Sequence, residues 1–313
     1  PDIKLPSHNI GSNKKVLKIL KYILIALSSI FMLFALYSFI IVTTAPKIHP
    51  ETIYKSVAET SRIYDDSGNE IDKVYYNQDR TLVSRKDMPD DLINAYIALE
   101  DKTFYKHHGF NWTRMFGAVW DAIKGSNNIS GTSTITQQLA RNVYLPEIKS
   151  QRSIKRKILE MYYADQIEKA LTKDQIIEAY LNTIYLGFGN YGIETAAKSY
   201  FSKDVKDLTL LECASLAALP QAPDSYALIK HADEANISDN SANIIMREPE
   251  TYIANDLSKG RRNTCLKLMK KQGFIEKKQF DEVYDKNLID FINPNIATYS
   301  NIYTYFTDYM IEQ

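Results

Sequence analysis

In "ALEDKTFYKHHGF", residues 98–110, two adjacent acids stand just ahead of two histidines. Glu100 continues an apolar stripe at helical spacing, after Ile93, Tyr96 and Ile97. It also falls at the C-terminal, partly negative end of that helix. An inward-facing carboxyl at such an end is disfavoured as the anion, which suits a general acid or base. A frayed, solvated helix end is the plain alternative. Asp101 points elsewhere on the turn, where metal binding and loop capping are both open. His107 and His108 fit the ordering of a loop better than catalysis.

A second set lies in "SQRSIKRKILEMYYADQIEKAL". Arg156 and Lys157 precede Glu160 by four and three residues, so the three share one helix face. Lys149, Arg152 and Lys155 add positive charge nearby. A surface ion pair worth about 0–1 kcal/mol is one reading; a cationic patch that holds a phosphate or pyrophosphate is the other. Between the two sets runs "SGTSTITQQLARN", where Ser133, Thr134, Thr136, Gln137 and Gln138 place neutral donors and acceptors at a helix start. Such a run suits sugar or phosphate ligands, or simply an N-capped, solvated helix.

Two patterns are decoys. "GFGNYG", residues 187–192, matches G-x-G-x-x-G, but a helix precedes it where a nucleotide-binding loop needs a strand; its glycines fit a helix stop and a turn. Ser12-x-x-Lys15 and Ser238-Asp239-Asn240 resemble two of three penicillin-type serine motifs, yet no KTG occurs in the sequence.

The elements that must position these residues are mainly helical. Pro89 with Asp90 and Asp91 opens the helix that ends on Glu100. Thr172 with Gln175, and Thr209 with Glu212, have capping-box spacing. Ile176, Ile177, Tyr180, Leu181 and Ile184 line one face of another helix. "SRIYDDSGNEIDKVYY" reads as two short strands about an Asp-Ser-Gly-Asn turn. The segment 121–130, rich in Gly, Ser and Asn, is a flap or a mobile loop.

Residues 22–45 carry no charge. As a helix they would span about 36 Å, enough for a bilayer core of about 30 Å. Lys14, Lys15, Lys18 and Lys21 precede them, which places the N-terminus in the cytoplasm. Pro46 after Ala45 makes a poor signal-peptide cleavage site, so an uncleaved single-pass anchor is expected. Lys+Arg and Asp+Glu balance at 38 each, so no global charge points to nucleic acid. Cys213 and Cys265 form no CxxC pair and read as buried thiols. The expected organisation is a cytoplasmic tail at 1–21, an anchor at 22–45, a linker with short strands at 46–78, a helical domain at 79–272, and a C-terminal segment at 273–313.

In this order, "EDKTFYKHHG", "GTSTITQQLARN", "RKILE", "KDQIIEAYLNTIYLG" and "LAALPQAP" resemble the peptidoglycan glycosyltransferases, glycosyltransferase family 51, of class A penicillin-binding proteins. The likeness covers residues 100–223 and continues through "RRNTCLKLMKKQGFIEKKQFDE". It implies a mainly α, lysozyme-like domain after one transmembrane helix and a short β-hairpin linker. That domain would polymerise lipid II outside the plasma membrane, with lipid II, the growing lipid-linked glycan and other cell-wall synthesis proteins as partners.

The resemblance makes Glu100 and Glu160 the catalytic carboxylates. Glu100 would be the general base, and Glu160 would order the pyrophosphate site with Arg156 and Lys157. Asp101, Phe104, His107, Gly131, Ser133, Thr134, Gln137, Gln138 and Arg141 would contact substrate. Asp101 and Glu160 are the candidate ligands for Mg2+ or Mn2+ at the pyrophosphate. Ala218 stands where the family commonly has glycine, and "SYAL" replaces Tyr-Asn-Pro. The C-terminal segment resembles the lead into a transpeptidase domain. Two rival readings are a glycan-cleaving lytic transglycosylase, which needs no pyrophosphate site, and a membrane-anchored cell-wall scaffold with no chemistry.

Overall fold

The computed structural model describes residues 10–53, 61–64, 70–74, 81–124, 131–232, 243–246 and 251–295. Helix α1 (Ile10–Thr44) is followed by strands β1 (Ser61–Tyr64) and β2 (Glu70–Val74). The helical body then runs through α2 (Asp90–Glu100), α3 (Trp112–Ile123), α4 (Ile135–Tyr144), α5 (Ile154–Ala170) and α6 (Lys173–Thr183). It continues with α7 (Ile193–Phe201), α8 (Leu210–Ala218) and the single turn α9 (Pro223–Tyr226). Strands β3 (Ile229–His231), β4 (Ile244–Met246) and β5 (Tyr252–Ala254) precede α10 (Lys259–Lys271) and α11 (Lys277–Val283). The architecture is mainly α, as expected.

Helix α1 starts ahead of the uncharged run, so Lys18 and Lys21 lie within it. Leu and Lys are good helix formers, and nothing in the basic segment stops the helix. From Val16 to Thr44 it is long and apolar enough to cross a membrane. Its apolar side chains, among them Leu24, Phe31 and Met32, are exposed. Among the described residues its far end touches the body: Ile41 is buried, and the Tyr163 hydroxyl on α5 donates to the carbonyl of Pro46 at 3.1 Å.

The expected hairpin forms, with Ser61 opposite Val74 and an irregularity between Ile63 and Tyr64; its turn, 65–69, lies outside the described residues. Both capping boxes form, at Thr172 with Gln175 and Thr209 with Glu212, and a third joins Thr134 to Gln137. Each cap satisfies backbone N–H groups that a helix start would leave bare, worth roughly 0.5–2 kcal/mol.

Two groups of helices share the core. Helix α4 packs on α5 and α6, and α2 packs on α8 and α10. Tyr96 and Tyr180 join the groups edge to face, with centroids 6.0 Å apart, and the Tyr96 hydroxyl donates to the carbonyl of Leu216. A three-stranded antiparallel sheet in the order β3-β5-β4 interrupts the helical pattern. The sequence pattern did not foretell it, because strands of three residues are too short for alternation to show. The packed body also passes residue 272, the expected domain edge, since Ile275, Phe280 and Leu288 are buried in the same core. These apolar side chains at spacings of five and eight residues escape a helical-stripe search.

"GFGNYG" makes the turn between α6 and α7. Gly187 has φ +80°, and a Cβ there would stand 2.3 Å from the carbonyl oxygen of Pro223. The turn reading fits: Gly187, Gly189 and Gly192 all have positive φ, and a helix rather than a strand precedes them.

Candidate active site

Helix α2 ends on Glu100, as the apolar stripe predicts: Ile93, Tyr96 and Ile97 are buried and the Glu100 side chain is 13% exposed. Each carboxylate oxygen has one partner. Gln138 Nε2 on α4 donates to Oε2 at 2.8 Å, and an Arg261 guanidinium nitrogen on α10 donates to Oε1 at 2.5 Å. The guanidinium of Arg261 brings to this carboxylate a positive charge that the sequence setting did not foretell.

Behind Gln138, the buried Tyr180 hydroxyl donates to the amide oxygen at 3.0 Å. Burial, and then the negative charge of Glu100, push the Tyr180 hydroxyl well above its ordinary range. It therefore stays a donor, and the amide's NH2 is left to face Glu100.

Asp101 caps a helix. It is fully buried; its Oδ2 accepts from the backbone N–H of Ile135 at 3.1 Å and contacts His107 Nε2 at 2.7 Å. Its Oδ1 accepts from the Thr103 hydroxyl at 3.3 Å and lies 3.8 Å from Arg114. A carboxylate at the first turn of α4 complements the helix dipole. Of the two roles left open for Asp101, loop capping is the one the geometry fills.

Three residues of the expected substrate set are internal. Phe104 is fully buried, with Lys173 Nζ 4.6 Å from its ring centre. His107 is buried between Asp101 and Glu168, whose Oε1 lies 3.9 Å from His107 Nδ1. Thr134 is fully buried as the N-cap of α4 and donates to the carbonyl of Gly109 at 2.6 Å. All three pack between Glu100's loop and α4. Gly131 is exposed, and its carbonyl accepts from Arg114.

The second cluster forms as the spacing requires. Glu160 Oε1 lies 3.1 Å from Arg156 Nε, and Glu160 Oε2 accepts from Lys157 Nζ at 3.2 Å. Arg141 on α4 adds a third cation, 3.6 Å from Oε1. Three cations thus surround one carboxylate whose side chain is 1% exposed. At that depth Glu160 holds the cations in place. Lys157 Nζ also donates to the Ser133 hydroxyl and to Gln137 Oε1, each at 3.0 Å. Burial pulls the Lys157 ammonium below its ordinary range, against the raising effect of Glu160. Gln137 Nε2 is buried with no hydrogen-bond partner among the described residues. Lys149, Arg152 and Lys155 are exposed beside the cluster.

The carboxylates do not make a metal centre. Among the described residues no three His, Cys, Asp or Glu side chains converge on a point. The oxygens of Asp101 are taken by donors and those of Glu160 face cations, an environment that repels a divalent ion.

Consecutive residues of α4 join the two clusters. Gln137 turns to Lys157 and Gln138 to Glu100, as a turn of about 100° per residue allows. Sequence spacing missed Arg261, Tyr180 and Glu168. One signal did point to Arg261: Lys259, Arg261 and Arg262 open α10, where cations oppose the helix dipole.

Two adjacent residues of α4 thus tie the carboxylate at the end of α2 to a cluster with excess positive charge. The family described as Transglycosylase matches residues 67–269, and the chain belongs to that family. Penicillin-binding protein 1A of Clostridium botulinum is 37% identical over 282 residues, covering 88% of this chain and 31% of that protein. Penicillin-binding protein 1A of Clostridium acetobutylicum is 42% identical over 224 residues, covering 69% and 27%. Penicillin-binding protein 2D of Bacillus subtilis is 37% identical over 232 residues, covering 74% and 30%. The chain spans about a third of the length of these relatives or less.

Proposed function

We propose that the chain is a peptidoglycan glycosyltransferase that polymerises lipid II at the outer face of the cell membrane, in cell-wall synthesis. The observation that carries this reading is the use of Gln137 and Gln138 to tie a base to a cation cluster. Glu100 takes the proton from the 4-hydroxyl of the acceptor N-acetylglucosamine. That oxygen attacks C1 of the donor N-acetylmuramic acid as the bond from C1 to the pyrophosphate oxygen breaks. The configuration at C1 inverts, and undecaprenyl pyrophosphate leaves with the bonding pair.

Arg141, Arg156 and Lys157 receive the charge that builds on the leaving group, with Gln137 Nε2 as a further donor. These side chains, rather than Mg2+ or Mn2+, carry the neutralising role, and no step passes through a metal. Cleavage of glycan would leave such a cluster without a task. Helix α1 is the anchor, with its basic end in the cytoplasm by the charge rule.

On α3, Trp112, Phe116 and Trp120 stand four residues apart and are 54, 67 and 58% exposed. An exposed aromatic stripe of this kind fits a lipid interface rather than a core. Other cell-wall synthesis proteins complete the setting as partners.

The test is lipid II polymerisation by the detergent-solubilised protein, with Glu100→Gln as control and moenomycin as competitor. Glycan ladders that vanish in the mutant and with competitor support the reading. Ladders that persist in a folded Glu100→Gln protein refute the base, and a chain that shortens finished glycan without lipid II points to cleavage.

A further inference from the structure

Helix α10 lies beyond residue 223, in the "RRNTCLKLMKKQGFIEKKQFDE" segment, and it reaches Glu100 across a separation of 161 residues. We propose that Arg261 is a positioning residue for the base, fixing the plane of the Glu100 carboxylate so that one oxygen faces the acceptor hydroxyl. The inference rests on Glu100 being that base.

The contact is single-pronged. Arg261 gives one nitrogen to Oε1 and Gln138 one nitrogen to Oε2. Two donors from two different helices stop the carboxylate turning about its last bond. A bidentate guanidinium fork would cover both oxygens along one edge; with one donor on each, both keep a lone pair for an incoming proton.

The remaining cations of the first turn have structural partners. Arg262 is fully buried, bonds Asp256 Oδ1 at 3.2 Å and the carbonyl of Lys286, and lies over the Phe291 ring. Lys259 pairs with Asp285 at 3.2 Å. Arg261 pairs with Glu100, and its Nε is buried without a hydrogen-bond partner among the described residues. A cation that opposes its own helix dipole and meets its counter-charge at the end of α2 is placed there by the needs of Glu100 rather than of α10.

The helix that carries it is held in register. Cys265 Sγ lies 3.5 Å from the carbonyl of Ala95, and Gln272 Nε2 donates to the carbonyl of Ala98 at 3.3 Å. Both carbonyls belong to the last turns of α2, so α10 cannot slide without carrying Arg261 off Glu100.

The experiment is the measurement of kcat and KM for lipid II polymerisation by the full anchored protein in detergent, for wild type, Arg261→Gln, Arg261→Lys and Glu100→Gln. For Arg261→Gln we expect kcat to fall about 10- to 100-fold, the scale of a hydrogen bond to a charged group. KM and moenomycin affinity should hold. Arg261→Lys keeps the charge but not the planar donor, so its kcat should fall as well while KM holds.

Wild-type kcat in Arg261→Gln, with Glu100→Gln inactive, would overturn the role of Arg261 alone. Wild-type turnover in Glu100→Gln would instead remove the base on which the inference rests. Should Arg261→Gln melt below the assay temperature, Arg261→Lys decides: lowered kcat at unchanged KM supports positioning, and full kcat rejects it.

Discussion

The Tyr180 hydroxyl donates to Gln138 Oε1 at 3.0 Å, and that bond settles which end of the amide faces Glu100. Tyr180→Phe frees the amide to turn its oxygen toward a carboxylate. It also leaves a buried acceptor without its donor, a loss of roughly 1–3 kcal/mol. Urea unfolding should report that loss, and polymerisation should slow about tenfold or more. Full turnover in the variant would mean that something other than Tyr180 holds the amide.

Lys157 gives a pH dependence with opposite signs for binding and for folding. Its ammonium is held below the ordinary lysine range by burial. As pH rises through that lowered value the folded protein loses the charge, so affinity for moenomycin or lipid II should fall on the alkaline side. Between the lowered and the ordinary value the unfolded chain binds more protons, so this group's contribution to stability rises with pH there. Lys157→Arg stays charged throughout and should flatten the alkaline fall in a titration of ligand binding.

Asp101 is a test of structure rather than chemistry. Asp101→Ala removes the acceptor of the Ile135 N–H and the partner of His107. The expected cost is about 2–3 kcal/mol, measurable by urea unfolding. Asp101→Asn, which keeps a carbonyl acceptor, should lose less. Equal losses would show that charge, not the hydrogen bond, matters at that helix end.

Gly187→Ala places a methyl 2.3 Å from the Pro223 carbonyl oxygen at φ +80°. We expect at least about 2 kcal/mol of destabilisation, seen as a lowered urea midpoint. An unchanged midpoint would require α9 to shift freely.

The chain's two tryptophans both lie on α3, so intrinsic fluorescence reports on that helix. In vesicles their emission should shift to the blue and be quenched by brominated lipid. Trp112→Ser with Trp120→Ser should abolish the signal and weaken polymerisation from vesicle-borne lipid II. Unquenched, water-like emission would detach α3 from the membrane.

Local spacing carried much of this arrangement. The stripe that ends on Glu100, the Arg156–Lys157–Glu160 face and the Thr–Gln and Thr–Glu caps all rest on contacts within about one helical turn, where periodicity is informative. What escaped is non-local. Arg141 reaches Glu160 from another helix, Tyr180 reaches Gln138 over 42 residues, and Arg261 reaches Glu100 over 161. Those pairings depend on how helices cross, which residue spacing does not encode. Phe104 and Thr134 show the converse: polar and aromatic residues beside a site can be wholly absorbed in holding it.

The seat of α1 on α5 has a mechanical consequence. Tyr163, which bonds Pro46, follows Glu160 by three residues, a rise of about 4.5 Å along α5. Anchor and cation cluster therefore meet through one stiff joint instead of a slack tether. If α1 stands in the bilayer, its joint works like a gauge block that sets the altitude of the cations above the headgroups. On the proposed function, a lipid-borne pyrophosphate would then slide sideways into place without being hoisted from its leaflet.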